Sequence, residues 1–250
     1  MEKDKNKLIQ LGSHTAKNGF KNEDDIVLKF NNWTTDLEAR LWLELMNYDL
    51  NEIEYVEAIK LSGYKTDVQV QVTIKLKKAI DVENLQVKLV SNKQGFNQID
   101  KRWVDKYIEL WNIPENISIF LKHYTGELKP TISNLKDSRR MFADEFTLEE
   151  QKHLLAWLND NKVLIVNDIL KGRGRFSAEW FLVAQKIQEN ARWVLKPMNY
   201  VLNYFGNGEI EITTKGNIKI GRITMQRKGG DGGRKTANML QFKINPAELF

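Results

Sequence analysis

The sequence predicts a mixed α+β chain of the α/β kind, with a central mixed β-sheet flanked by helices and a helical insertion. Three observations carry this. Apolar and polar residues alternate over residues 67–91, apolar residues recur at helical spacing through much of 98–190, and alternation returns over 209–244. With 250 residues, 42% of them hydrophobic, the chain can bury one large core and is short for two full-sized domains. Residues 1–250 are therefore expected to form a single domain.

The elements follow in order. Residues 21–33 (KNEDDIVLKFNNW) put Ile26, Val27, Phe30 and Trp33 at helical spacing behind acidic residues that suit the positive end of a helix dipole. A second helix is expected from Asp36 to Met46, with Leu37, Leu41, Leu45 and the neighbouring Trp42 as its apolar stripe. Ser62 and Gly63 mark a break, after which DVQVQVTIKLK from Asp67 alternates as a half-buried strand does. Asp81 to Asn84 read as a turn, and LQVKLV from Leu85 as the next strand. From Gln98 a helix is expected, with Ile99, Trp103, Tyr107 and Trp111 along one face until Pro114 interferes. Thr147 with Glu150 three residues later is a capping box ahead of Leu154, Leu155 and Leu158, and 176–189 also read as helix. EIEITTKGNIKIGRITMQRK reads as two strands around Lys215, Gly216 and Asn217, and NMLQFKI from Asn238 as a further one. The tryptophans, Trp103 and Trp111 among them, are read mainly as core.

Composition narrows the chemistry. There is no cysteine, which excludes disulfides, zinc ribbons and thiol catalysis. His14, His123 and His153 lie far apart, so no helical zinc pair exists. The net charge of +5 leans mildly toward a polyanionic partner. No run of about 18 apolar residues occurs, and the N-terminus carries no signal-peptide pattern. No membrane partner is expected, and the expected location is the cytoplasm.

The residues with chemical potential gather around 67–101. Asp67 offers a carboxylate, and Gln86 and Lys88, two residues apart on a strand, project from one face. Hydrolysis of a phosphodiester needs a hard divalent ion that activates water and neutralises charge on oxygen, and magnesium takes oxygen ligands for this work. Asp67, the amide oxygen of Gln86 and the backbone carbonyl of Val87 would be such ligands, with Lys88 holding the attacking water or the phosphate. The same spacing also fits the solvated face of an amphipathic strand pair. Downstream, Lys93, Phe96, Asn97 and Gln98 belong to a loop of amides, cations and one aromatic ring, a mixture able to read base edges or wedge a base step. An ordinary surface loop with its phenylalanine folded inward fits equally well.

GGDGGRKT from Gly229 falls short of a phosphate-binding loop because Arg234 stands where the last glycine belongs, so no nucleotide cofactor is expected. Arg227, Lys228, Arg234 and Lys235 instead make a basic loop suited to DNA phosphates, or a mobile hairpin tip. Lys171, Arg173 and Arg175 around two glycines, and Lys136, Arg139 and Arg140, are further basic groups.

LSGYKTD and LQVKLVSNKQGFNQIDK resemble the HinP-type restriction endonucleases that cleave GCGC, relatives of the PD-(D/E)xK nucleases. QLGSHTAKNGFKNEDDI, YTGEL, KDSRRMF, WFLVAQK, NARW, QRKGGD and TANMLQFKI extend the resemblance along nearly the whole chain. The resemblance implies a restriction-endonuclease-like fold, catalytic Asp67, Gln86 and Lys88, and a DNA-reading loop and following segment carrying Phe96, Gln98 and Lys101. It also implies double-stranded DNA as substrate, a GCGC target, Mg2+ as cofactor, and a cognate methyltransferase protecting a bacterial host. A homodimer is compatible with cutting both strands. Where the superfamily commonly has an acid, this chain has Gln86, so Glu23 or Glu57 are candidates to supply a missing carboxylate. Each also reads as a helix-dipole partner or a solvated acid. With the neutral Gln86 in that place, the alternative reading is a sequence-specific DNA-binding protein without cleavage activity.

Overall fold

The computed structural model describes residue 18 and residues 21–61, 69–92, 95–132, 136–230, 232 and 234–250. It divides into two compact units. Of the described residues, one contains those from 18 to Asn97, Lys171–Val201 and Asn245–Phe250; the other contains Gln98–Leu170 and Leu202–Ile244. The mixed α+β class holds, with strands in two five-stranded sheets.

The first unit is built on β1 (Ile53–Leu61), β2 (Gln69–Leu76), β3 (Ile80–Val90), β5 (Trp180–Ile187) and β6 (Asn190–Pro197), in the order β1-β2-β3-β5-β6. β3 pairs parallel with β5, and the other neighbours are antiparallel. The long chain between β3 and β5 is what permits the parallel pairing. Helix α1 (residues 21–31) and α2 (Leu37–Leu45) belong to this unit. Ile26, Phe30, Trp42 and Leu43 share one apolar cluster with Val70, Val72, Leu85, Val87 and Leu182. Asp36 caps α2 by accepting from the Ala39 N–H at 3.0 Å, and Asn31 brackets Ala58, fastening α1 to β1.

The second unit carries β4 (Asn97–Arg102), β7 (Ile210–Ile212), β8 (Ile218–Ile220), β9 (Ile223–Arg227) and β10 (Leu240–Ile244) in the order β4-β10-β9-β8-β7. Its helices include α3 (Val104–Trp111), α4 (Glu115–Thr125), α5 (Leu148–Asp160) and α6 (Lys162–Leu170). α7 (Met198–Gly206) follows β6 directly. The Thr147–Glu150 capping box is formed at the start of α5. Arg102 lies between two buried carboxylates, 2.9 Å from Asp100 and 3.2 Å from Asp168. Asp100 also accepts from the Tyr107 hydroxyl, and Asp168 from the Trp111 indole.

Five local expectations are corrected. Residues 81–84 are strand, and the turn lies at 77–79, because Glu83 and Asn84 find partners distant in sequence that override their turn preference. Residues 97–102 are strand and the helix starts at Val104, which leaves Trp103 as an exposed N-cap residue. Residues 180–187 are strand β5, whose run Phe181, Leu182, Val183 and Ala184 is buried throughout. A continuous apolar run fits a central strand and a buried helix alike. On α2 the core face is Ala39, Trp42 and Leu43, while Leu37, Leu41 and Leu45 are exposed. The stretch 210–227 forms three strands, with a second reversal at Gly221, whose left-handed φ of 57° and close backbone neighbours admit no side chain.

Candidate active site

β3 runs through the middle of its sheet, and alternation divides its residues between two faces. Leu85 and Val87 face the cluster containing Ile26 and Phe30. Asn84, Gln86 and Lys88 project to the opposite face, about 7 Å apart in succession, and all three are buried. Gln86 stands opposite Gln69 on β2 and Phe181 on β5, and Lys88 opposite Val183. On the β5 side both polar side chains thus meet apolar neighbours, and buried there their charge and hydrogen bonds act with little competition from water.

Gln86 is 1% exposed, and among the described residues neither its Oε1 nor its Nε2 has a hydrogen-bond partner. An unsatisfied buried amide is costly, and its persistence fits a group held ready for a ligand. Its carbonyl oxygen is a hard donor of the kind magnesium takes. Among the described residues no three histidine or carboxylate side chains gather as a metal cage, so the fit to a hard cation rests on Gln86, the Val87 carbonyl and Asp67. Asp67 and Lys93 lie outside the described residues.

The two extra carboxylates are placed differently. Glu57 on β1 pairs with Thr73, whose partner on β3 is Val82, four residues from Gln86. The strand spacings put the Glu57 backbone about 16 Å from that of Gln86, too far to share one ion. Glu23 is buried in the first turn of α1, on the stripe with Ile26 and Phe30 that packs with Leu85 and Val87. Glu83, on that face too, accepts from Tyr48 at 2.8 Å and from the Trp180 indole at 2.9 Å. Burial pushes its carboxyl above the usual range, against those two hydrogen bonds.

Beyond β3, Gly95 adopts a left-handed φ of 69°, and a Cβ there would collide with Asn245 Oδ1. The Gly95 N–H donates to Asn92 Oδ1 and its carbonyl accepts from Asn97 Nδ2, both at 2.9 Å. This compact turn leaves Phe96 60% exposed, an aromatic ring held outward rather than folded into the core. Gln98 and Lys101 are half-buried positions of β4.

In the second unit, β9 and β10 pair antiparallel, and a 3-10 turn, Lys235–Asn238, precedes β10. Arg227 is half-buried and donates twice to Asn238 Oδ1 at 2.7 and 3.2 Å, with Asp137 4.0 Å away. Its guanidinium is thus engaged in the fold, whereas Arg234 is exposed and Lys228 half-buried.

Asn84 is the functional candidate that the sequence reading missed, since it was read as part of a turn. The signal was available: Asn84, Gln86 and Lys88 form a polar series at the strand period.

Comparison with known proteins gives first the class. A solved structure of the restriction endonuclease MspI in complex with its cognate DNA matches with a TM-score of 0.58 over 86% of this chain and 80% of that one, at 16% identity. The fold is that of a restriction endonuclease. The family follows: the model of the R.HinP1I restriction endonuclease matches residues 46–250, and the chain belongs to that family. It is a type II site-specific endonuclease, a DNA-binding hydrolase of a restriction system. None of the curated proteins matches the chain in sequence.

Proposed function

We propose that the protein makes double-strand breaks at GCGC by magnesium-dependent hydrolysis, with Asp67, Gln86 and Lys88 as the reacting constellation. The observation that carries this is the buried, unpartnered amide of Gln86 beside buried Lys88 on one face of β3. Asp67 lies two residues ahead of Gln69 in the chain, and Gln69 pairs with Gln86. Asp67, Gln86 Oε1 and the Val87 carbonyl would hold the ion. Magnesium, when bound, supplies an acidified water and neutralises charge on the phosphate oxygens.

The chain's own residues do the rest. Gln86 and Asp67 would turn their oxygens toward the ion, and the apolar Phe181 and Val183, opposite Gln86 and Lys88, keep bulk water from the site. The Lys88 ammonium holds the attacking water or a non-bridging phosphate oxygen, and its charge counts most as negative charge builds in the transition state. Phe96 wedges against a base step, while Lys93, Asn97, Gln98 and Lys101 contact the target. Lys228 and Arg234 serve the phosphates, and Arg227 supports them from its Asn238 contact. A homodimer that cuts both strands, a bacterial cytoplasmic location and a cognate methyltransferase in the same host belong to the same reading.

Plasmid digestion tests it. With magnesium the protein should yield discrete fragments whose ends all map to GCGC. Discrete ends at another sequence would overturn the specificity, and equal cutting in excess chelator would overturn the metal dependence.

A further inference from the structure

Asn84 is buried and makes four hydrogen bonds. Its Oδ1 accepts from Gln71 Nε2 at 3.0 Å, and its Nδ2 donates to the backbone carbonyl of Arg175 at 3.1 Å. Its N–H donates to Glu179 Oε2 at 3.0 Å, and its carbonyl accepts from the Glu179 N–H at 2.9 Å. Every polar group of Asn84 is thus used. One of the four bonds holds Arg175, the last residue of the basic segment Lys171-Gly172-Arg173-Gly174-Arg175 with its three cations, and two hold Glu179, four residues further on, to the strand that carries Gln86 and Lys88.

Its shape and charge fit a phosphate backbone. Gly172 and Gly174 have left-handed φ values of 81° and 72°, so the segment takes a path that side-chain-bearing residues rarely follow. A Cβ added at Gly174 would meet nothing within 4 Å, so the backbone there is open to a partner. The Arg175 guanidinium lies 4.8 Å above the Phe176 ring, which steadies it while leaving N–H groups for an acceptor. Neither Lys171 nor Arg175 has an ion pair with a described acid, and the nearby Glu179 carboxylate accepts from the Asn84 N–H. By contrast, Lys60, Lys75, Lys77 and Lys186 of the same unit all pair with acidic side chains.

We propose that this anchored basic segment clamps the DNA sugar-phosphate backbone beside the cleaved bond, with Lys171 and Arg175 making the phosphate contacts. The proposal rests on the reading that places the reacting groups at Gln86 and Lys88. Asn84 lies about 7 Å from Gln86 and about 14 Å from Lys88 along the strand. Those distances correspond to about two to four base-pair rises, within reach of phosphates flanking the scissile one. The bond from Asn84 to the Arg175 carbonyl fixes the end of the segment before DNA arrives, which lowers the ordering cost of binding.

The test is the salt dependence of binding, by fluorescence anisotropy with a duplex holding one GCGC site, in chelator to prevent cleavage. The wild-type protein, the pair Lys171→Ala with Arg175→Ala, and the charge-matched control Lys75→Ala with Lys77→Ala are titrated from about 50 to about 200 mM salt, a range over which phosphate contacts dominate affinity. The clamp pair should lower the slope of log K against log salt by about 1.8, about 0.9 per lost contact, and the control should leave it unchanged. Affinity should fall equally for GCGC and unrelated duplexes. An unchanged slope in the clamp pair, or an equal fall in the control, overturns the clamp. The reading it rests on fails separately, by Gln86 and Lys88 variants that cut as the wild type does.

Discussion

Replacing Gln86 with methionine should make the metal-free protein more stable while abolishing cleavage. The side chain is 1% exposed, and both its amide atoms lack partners among the described residues. Each orphaned buried polar group costs about 1–3 kcal/mol. Methionine has nearly the same length and volume, so it removes both orphans, and repacking costs less than about 1.5 kcal/mol. With two such groups set against that repacking cost, the net gain is roughly 0.5–6 kcal/mol. In a chain of this size each kcal/mol moves Tm by roughly 2–4 °C, so thermal melts in chelator should place Gln86→Met several degrees above wild type. Magnesium should then raise the wild-type Tm by mass action and move the variant less, because one oxygen ligand is gone. A variant that melts at or below wild type without metal would refute the view that Gln86 is held unsatisfied for a ligand. Retained cleavage would remove it from the reaction.

Four further outcomes follow from the same geometry. Lys88→Ala should lose cleavage and keep specific binding, because the ammonium acts chiefly in the transition state; single-turnover cleavage and gel shifts read the two separately, and parallel loss would contradict the role. Gln98→Ala should weaken discrimination between GCGC and single-base variants by about 1–3 kcal/mol, whereas a uniform loss of affinity would assign it to phosphate. Arg102→Met leaves Asp100 and Asp168 without their shared buried cation, and urea denaturation should show a loss of about 3–5 kcal/mol. Asp137 is held below the usual carboxylate range, chiefly by its paired hydrogen bonds from Arg139, against burial, with the Arg139 N–H and charge and then Arg227 adding less. A depressed folded-state value means the stabilisation is present above the unfolded value, about 3.9, and is lost as pH falls through the folded one. The stability gap between wild type and Asp137→Asn should therefore be widest near neutrality and close in acid, and a gap constant with pH would contradict the assignment.

How much of this was legible in the sequence depended on whether a signal was local. Gln86 and Lys88 could be assigned to one face because two residues is the strand period, and the structure has them there. The α5 capping box was legible for the same reason, since its bonds span three residues. β5 was misread because Phe181, Leu182, Val183 and Ala184 are all buried, which erases the alternation that marks a strand. The stripe on α2 was misplaced because Leu37, Leu41 and Leu45 have the helical period as fully as Ala39, Trp42, Leu43 and Met46, and only the packing selects between the faces. The second sheet, and the link from Asn84 to Arg175 across 91 positions, are long-range facts that no local window contains.

The measurement that bears most directly on the central claim is single-turnover cleavage of two short duplexes, one with a single GCGC and one differing at one base of it, with magnesium and with chelator. The account predicts cutting of both strands of the GCGC duplex with magnesium only, and none of the altered duplex under either condition. Equal cutting of the two duplexes, or full cutting in chelator, would contradict it.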